Sequence, residues 1–96
     1  MAEETVEVLN VNHPAYRGRA NAAKYRAMKA ALRQAMDGSS GMTQAEMKQA
    51  CQAYLPQDLF PQGKAAGWWS KTVQLDLEAR GEMGRTTTKP LKFFFT

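Results

Sequence analysis

The chain of 96 residues has one cysteine, Cys51, and one histidine, His13. A lone cysteine excludes an internal disulfide framework and suits a reducing compartment. A lone histidine, set in a turn before Pro14, leaves no His/Cys/carboxylate set at metal-ligand spacing and no Ser/His/Asp arrangement. A Gly-rich phosphate loop is missing as well. These absences predict a protein that is not an enzyme, with no cofactor, no metal and no small-molecule substrate. No apolar run approaches the roughly 20 residues that span a bilayer. The N-terminal MAEETVEVLN is acidic and lacks an apolar core, unlike a signal peptide. The expectation is a cytoplasmic protein with no membrane partner.

Charge of one sign is missing from two segments. The first ten residues hold Glu3, Glu4 and Glu7 but no base, and residues 11–36 hold Arg17, Arg19, Lys24, Arg26, Lys29 and Arg33 but no acid. The net charge of the whole chain is +4. Such an asymmetry is compatible with a nucleic-acid partner and equally with none. What remains is ordinary: 44% hydrophobic and 23% charged residues describe a folded globular chain with enough apolar surface for one core.

Local patterns predict strand, three helices and hairpin. Residues 5–11, TVEVLNV, are rich in β-branched side chains and read as a strand. Asn21 is placed to cap a helix from Ala22 to about Met36, with Gly38 beyond its end. Tyr25, Met28, Leu32, Ala35 and Met36 share its apolar face, and Arg26, Lys29 and Arg33 lie opposite. Thr43-Gln44-Ala45-Glu46 matches the capping box and opens a second helix that runs to about Leu55 and stops at Pro56. A third helix falls within residues 64–80, closed by Gly81. Its periodicity gives two apolar stripes, Trp68, Thr72, Leu75 and Ala79 beside Trp69, Val73 and Leu77, and leaves Ser70, Lys71, Gln74 and Glu78 as a narrow polar strip. A helix so apolar must be covered on two sides, by the other helices and by a hairpin or second subunit. Residues 83–86 and 91–95 read as the two strands of a final hairpin.

The fold class is therefore α+β, with residues 1–21 as an N-terminal strand and basic connector and residues 22–96 as a three-helix core with a C-terminal hairpin. Three helices ending in V-x-x-x-L-E-x-x-G-x-M and followed by a hairpin, here Val73, Leu77, Glu78, Gly81 and Met83, resemble the winged-helix variant of helix-turn-helix proteins. That resemblance implies that the third helix and the hairpin wing contact double-stranded DNA. The blocks AEM, LPQDLFP and GWWSKTVQLDLEARG are also similar to a small bacterial family of uncharacterised function, which implies no activity. Two features depart from the compact motif: a longer link between the second and third helices, and Trp68 and Trp69 near the start of the reading helix.

The candidate residues follow. Lys64, Ser70, Lys71 and Gln74 would face the major groove, with Arg85, Lys89 and Lys92 on phosphates; the alternative is a solvated face. Arg17, Arg19, Arg26, Lys29 and Arg33 form a second basic patch, either tracking a phosphate backbone or serving as the wet side of an amphipathic helix and a basic connector. Trp68 and Phe94 are candidates for an interface, Phe94 because neighbouring strand residues face opposite ways. Asp76, inside the apolar arc, pairs with Arg80 one turn on or caps a backbone group from another element. The functional expectation is a small regulatory DNA-binding protein acting through helix 64–80 and wing 83–95. Its alternative is a protein-protein interaction or homodimerisation module that binds no nucleic acid.

Overall fold

A computed structural model of the protein describes residues 4–96. Glu3 and the other positions of residues 1–3 lie outside the described residues. The chain is an α+β arrangement in the order β1 (Thr5–Val8), β2 (Gly18–Asn21), α1 (Ala22–Ala35), α2 (Gln44–Cys51), α3 (Ala66–Ala79), β3 (Met83–Arg85) and β4 (Phe93–Phe95), with single 3-10 turns at Gln52–Tyr54 and Pro61–Gly63.

The N-terminal segment differs from expectation. Its basic connector is itself a strand: β2 pairs antiparallel with β1, aligning Val6 with Ala20 and Val8 with Gly18. The sequence Gly-Arg-Ala-Asn has no strand propensity of its own, so the ladder with β1 supplies the order. Alternation sets the register, because Val8 and Ala20 are buried while Thr5, Glu7 and Arg19 face solvent. β1 thus finds its partner within the chain and not in the C-terminal hairpin.

The helix boundaries follow their local signals. The Asn21 side chain accepts from the Lys24 N–H at 2.9 Å and starts α1 directly from β2. At α2, Thr43 Oγ1 accepts from the Glu46 N–H at 3.2 Å and Glu46 accepts from the Thr43 N–H at 2.8 Å, which completes the capping box. The α-helix ends at Cys51, earlier than the pattern implies, and tightens into a 3-10 turn that leaves Tyr54 exposed. Gly81, at φ +80°, closes α3 in a Schellman motif: the Glu82 N–H donates to the Leu77 carbonyl at 2.9 Å, and that of Gly81 to the Glu78 carbonyl at 3.2 Å.

The core lies where the three helices meet. Met28 and Leu32 of α1, Met47 and Cys51 of α2, and Val73 and Leu77 of α3 are fully buried, with Phe60 from the link set edge-on to Trp69. Each such side chain contributes about 1.5–3 kcal/mol through its removal from water. The C-terminal hairpin closes one side, with Met83 and Phe93 buried and β4 tied to the chain before α2 by the antiparallel bridge of Met42 and Phe93. Gly84 stands opposite Phe94, and a Cβ there would come within 2.9 Å of the Phe94 ring. The Phe94 ring therefore folds across β3 and is half-buried instead of projecting freely. The Lys89–Pro90 peptide in the hairpin loop is cis.

Candidate functional site

The side chains of α3 are arranged differently from their hydropathy. Ser70 and Gln74, expected on a solvated polar strip, are buried, whereas Trp68 is 60% exposed. Ser70 is small and faces α2, where its hydroxyl accepts from the Gln44 side-chain amide at 3.0 Å and donates to the Gly67 carbonyl at 3.1 Å. Gln74 donates to Glu78 at 2.7 Å, and Glu78 holds the Arg85 guanidinium through two bonds of 2.6 and 2.9 Å. Buried polar groups that are paired in this way cost little, so the docked neighbours override the apparent amphipathicity. As candidate groove contacts, Ser70 and Gln74 are thus covered by protein and Arg85 is held by a carboxylate. Lys64, Lys71, Lys89 and Lys92 remain exposed.

The N-terminal hairpin is anchored to the same helix at Asp76. Asp76 is fully buried and gathers three elements. Its Oδ1 accepts from the Leu9 N–H at 2.8 Å, its carboxylate accepts from Arg80 Nε at 2.9 and 3.0 Å, and the Tyr25 hydroxyl of α1 donates to Oδ2. Arg80 goes on to donate to the Glu7 carbonyl at 3.0 Å. Both roles considered for Asp76 are present together: it pairs with Arg80 and receives a backbone group from another element. Burial, reinforced by the hydrogen bond to Asp76, pushes the Tyr25 phenol well above its ordinary range.

This docking defines a surface. Leu9, Asn10 and Tyr16 from the loop between β1 and β2 face the outer stripe of α3, and the Val11 N–H donates to the Leu75 carbonyl at 3.3 Å. Between them runs a cleft of about 250 Å³ with Val8, Ala20 and Leu75 among its apolar lining and Tyr16, Arg19 and Trp68 around it. Tyr16 is 48% exposed and lies over Gly18, where any Cβ would collide with the phenol ring. Trp68 and Trp69 meet in an edge-to-face contact at 5.0 Å between centroids, which anchors the exposed indole to the core. A second cleft continues along α3 past Leu9 and Asn10, lined further by Val11, Arg17 and Glu78.

The second basic patch divides in two. Arg26 pairs with Glu4 at 2.9 Å, and Lys29 and Arg33 share Glu82 at 3.0 and 3.4 Å. Arg33 also stacks over Phe95 at 4.5 Å. Arg19, by contrast, lines the cleft beside Trp68, and Arg17 lines the neighbouring one. The hydrogen bond and charge of Lys29, together with Arg33, hold the Glu82 carboxyl below its usual value. Cys51 is buried, and burial pushes its thiol up, away from the reactive thiolate. Among the described residues no three His, Cys, Asp or Glu side chains gather closely enough to hold a metal ion. No helix among them is long and apolar enough to cross a membrane.

The structure brings Trp68 and Arg19 to one cleft, sets Arg17 beside it, and takes Phe94 to the far hairpin. Sequence reasoning set Thr72 and Leu75 on one stripe with Trp68 but missed Leu9 and Tyr16 as members of the same surface. The sole local signal was the Tyr-Arg-Gly-Arg run, because a loop has no periodicity to expose its packing.

The fold and surface define a small α+β protein with three helices, an N-terminal hairpin and a C-terminal hairpin. The chain belongs to DUF6958, a family of unknown function, which it matches over residues 5–93. No curated protein and no solved structure matches it.

Proposed function

We propose that this protein is a binding module without enzymatic activity, built on a winged-helix-like scaffold, that meets a protein partner through the cleft between Trp68 and Tyr16. The observation that carries this reading is the inversion on α3, where an indole is 60% exposed while Ser70 and Gln74 are covered. A soluble domain exposes a large aromatic ring next to a concave apolar patch where something binds it. The bridge between Met42 and Phe93, which ties the hairpin to the three-helix core, supports the winged-helix-like part of the reading.

Reading of duplex DNA through α3 has less support. With Ser70 and Gln74 buried and Arg85 held by Glu78, only lysines remain for contact, and lysines on phosphates carry no sequence information. A second copy of the chain is also disfavoured at this cleft, because a symmetric pair would set its arginines against each other.

Titration of a labelled random duplex at low and near-physiological salt tests the proposal. The expected result is no saturable binding at the higher salt. A tight complex that weakens steeply with salt and is lost on Lys71→Ala or Lys89→Ala substitution would overturn it. Sedimentation in the micromolar range is expected to report a monomer.

A further inference from the structure

The arginines of this chain fall into two sets. Arg26, Arg33, Arg80 and Arg85 each hold a carboxylate, at distances from 2.6 to 3.4 Å. Beside the aromatic cleft the pattern changes. Among the described residues the Arg17 guanidinium donates only to the carbonyls of Pro14 and Tyr16, and that of Arg19 to the hydroxyl and carbonyl of Thr5. Lys71, one helical turn beyond Trp68, is exposed. None of these three makes an ion pair among the described residues, although Glu7 stands opposite Arg19 in the ladder. Among the described residues that line the two clefts, Glu78 alone is a carboxylate, and Arg85 occupies it.

We infer that the partner presents an acidic segment with one large apolar side chain, which enters the cleft between Trp68 and Tyr16 while flanking carboxylates meet Arg17, Arg19 and Lys71. This inference rests on the interaction-module reading and gives its partner a chemistry. A cavity of about 150 Å³ suffices for a benzene ring, so a cleft of about 250 Å³ takes a leucine or phenylalanine side chain. Val8, Ala20 and Leu75 supply apolar contact, and the uncharged hydrogen-bonding groups of the lining are those of Asn10 and Thr72 with the Tyr16 hydroxyl and the Trp68 indole N–H at the tips of apolar rings. That composition fits an aliphatic or aromatic anchor better than the edges of a nucleic-acid base, which demand several placed donors and acceptors. Arginines whose hydrogen bonds go only to neutral oxygens keep the charge with which to attract a carboxylate in bidentate geometry. The aromatic anchor supplies affinity, and the cationic border supplies orientation and association rate.

The test is fluorescence anisotropy of a short labelled peptide carrying a Leu-Phe pair flanked by Asp and Glu. Its controls are the same peptide with Ala-Ala at the centre, the same peptide with Lys for every acid, and an oligothymidylate of similar charge. Saturable binding of the acidic Leu-Phe peptide is expected, at least about tenfold tighter than either peptide control. Trp68→Ala and the double variant Arg17→Gln/Arg19→Gln should each weaken it by about tenfold. These side chains are exposed, so the fold, followed by far-UV circular dichroism, should persist. Gly18→Ala is a further variant that keeps every cleft side chain and only displaces the Tyr16 ring, and it should weaken binding without loss of structure.

Absence of saturable binding to the acidic Leu-Phe peptide would overturn the inference. So would equal binding of the Ala-Ala control, or Trp68-dependent binding of the oligothymidylate that is tighter than that of the peptide. Trp68-dependent capture of the lysine-bearing peptide would sink the acidic partner yet leave the interaction module standing. Salt-steep duplex binding through Lys71 and Lys89 would remove the module reading itself.

Discussion

The Leu9 N–H donates to Oδ1 of Asp76 at 2.8 Å, and that one bond joins the exit of β1 to the last turn of α3 across 67 positions of sequence. The same carboxylate takes the Tyr25 hydroxyl and the Arg80 guanidinium, so strand, first helix and third helix meet at a single fully buried group. The cleft depends on this junction, because Leu9 and Asn10 form its wall only while β1 is held against α3.

Replacing Asp76 by Ala leaves the Leu9 N–H, the Tyr25 hydroxyl and the Arg80 guanidinium without their acceptor. Loss of one member of a buried charged network costs about 3 kcal/mol or more. Urea unfolding should show a midpoint well below that of the parent protein, and Asp76→Asn, which keeps an acceptor for Leu9, should fall between the two. An Asp76→Ala protein as stable as the parent would show that the junction does not hold the fold.

Tyr25 should make stability depend on alkaline pH. Its phenol is raised in the folded state above the unfolded value of about 10. A group whose folded value is raised stabilises fully below the unfolded value and loses that contribution as pH climbs above it. Stability measured from pH 8 to 11 should therefore drop more steeply in the parent than in Tyr25→Phe, where this ionisation is gone. Parallel curves would count against the buried phenol–carboxylate contact.

Glu82 gives the opposite sign at acid pH. The hydrogen bond and charge of Lys29, with help from Arg33, lower its folded value below the unfolded one. Its contribution is present above the unfolded value of about 4.3 and fades as pH falls through the folded one. The side chain is 37% exposed, so the effect is screened and should stay under about 1 kcal/mol. Glu82→Gln should reduce the acid-side slope of stability between pH 3 and 5 by that modest amount.

Gly81→Ala isolates a backbone cost. A Cβ at that position meets nothing within 4 Å, so the penalty comes only from holding an L-residue at φ +80°. About 1 kcal/mol of destabilisation is expected. A neutral substitution would mean that the end of α3 can close in another way.

The two tryptophans should be separable by quenching. Trp69→Phe leaves the indole that is 60% exposed, and Trp68→Phe leaves the one that is 8% exposed. The first variant should emit at longer wavelength and be readily quenched by acrylamide, and the second should be blue-shifted and protected. Equal quenching would contradict the inversion on α3.

Much of the architecture was legible in the residues. Asn21, the Thr43/Glu46 box and Gly81 mark helix ends through bonds that reach no more than five positions, and such bonds form wherever the local backbone allows. The core faces of α1 and α2 follow from the 3.6-residue period, and Met28, Leu32, Met47 and Cys51 are buried accordingly. β2 was not legible, because Gly-Arg-Ala-Asn becomes a strand only through its partner β1.

The sequence by itself determined three helices, the Asn21 and Thr43 caps and the Gly81 stop, the final hairpin and the apolar stripes that would form a core. Only the tertiary structure decided which side of α3 faces water. Hydropathy assigns Ser70 and Gln74 to solvent and Trp68 to the interior, but burial depends on which elements dock. Gln44 and Glu78 satisfy the two polar side chains, and the N-terminal hairpin covers the outer stripe only in part. Pairing over such distances leaves no periodic trace in the sequence, and for that reason the exposed indole and its cationic border emerge only when the chain is folded.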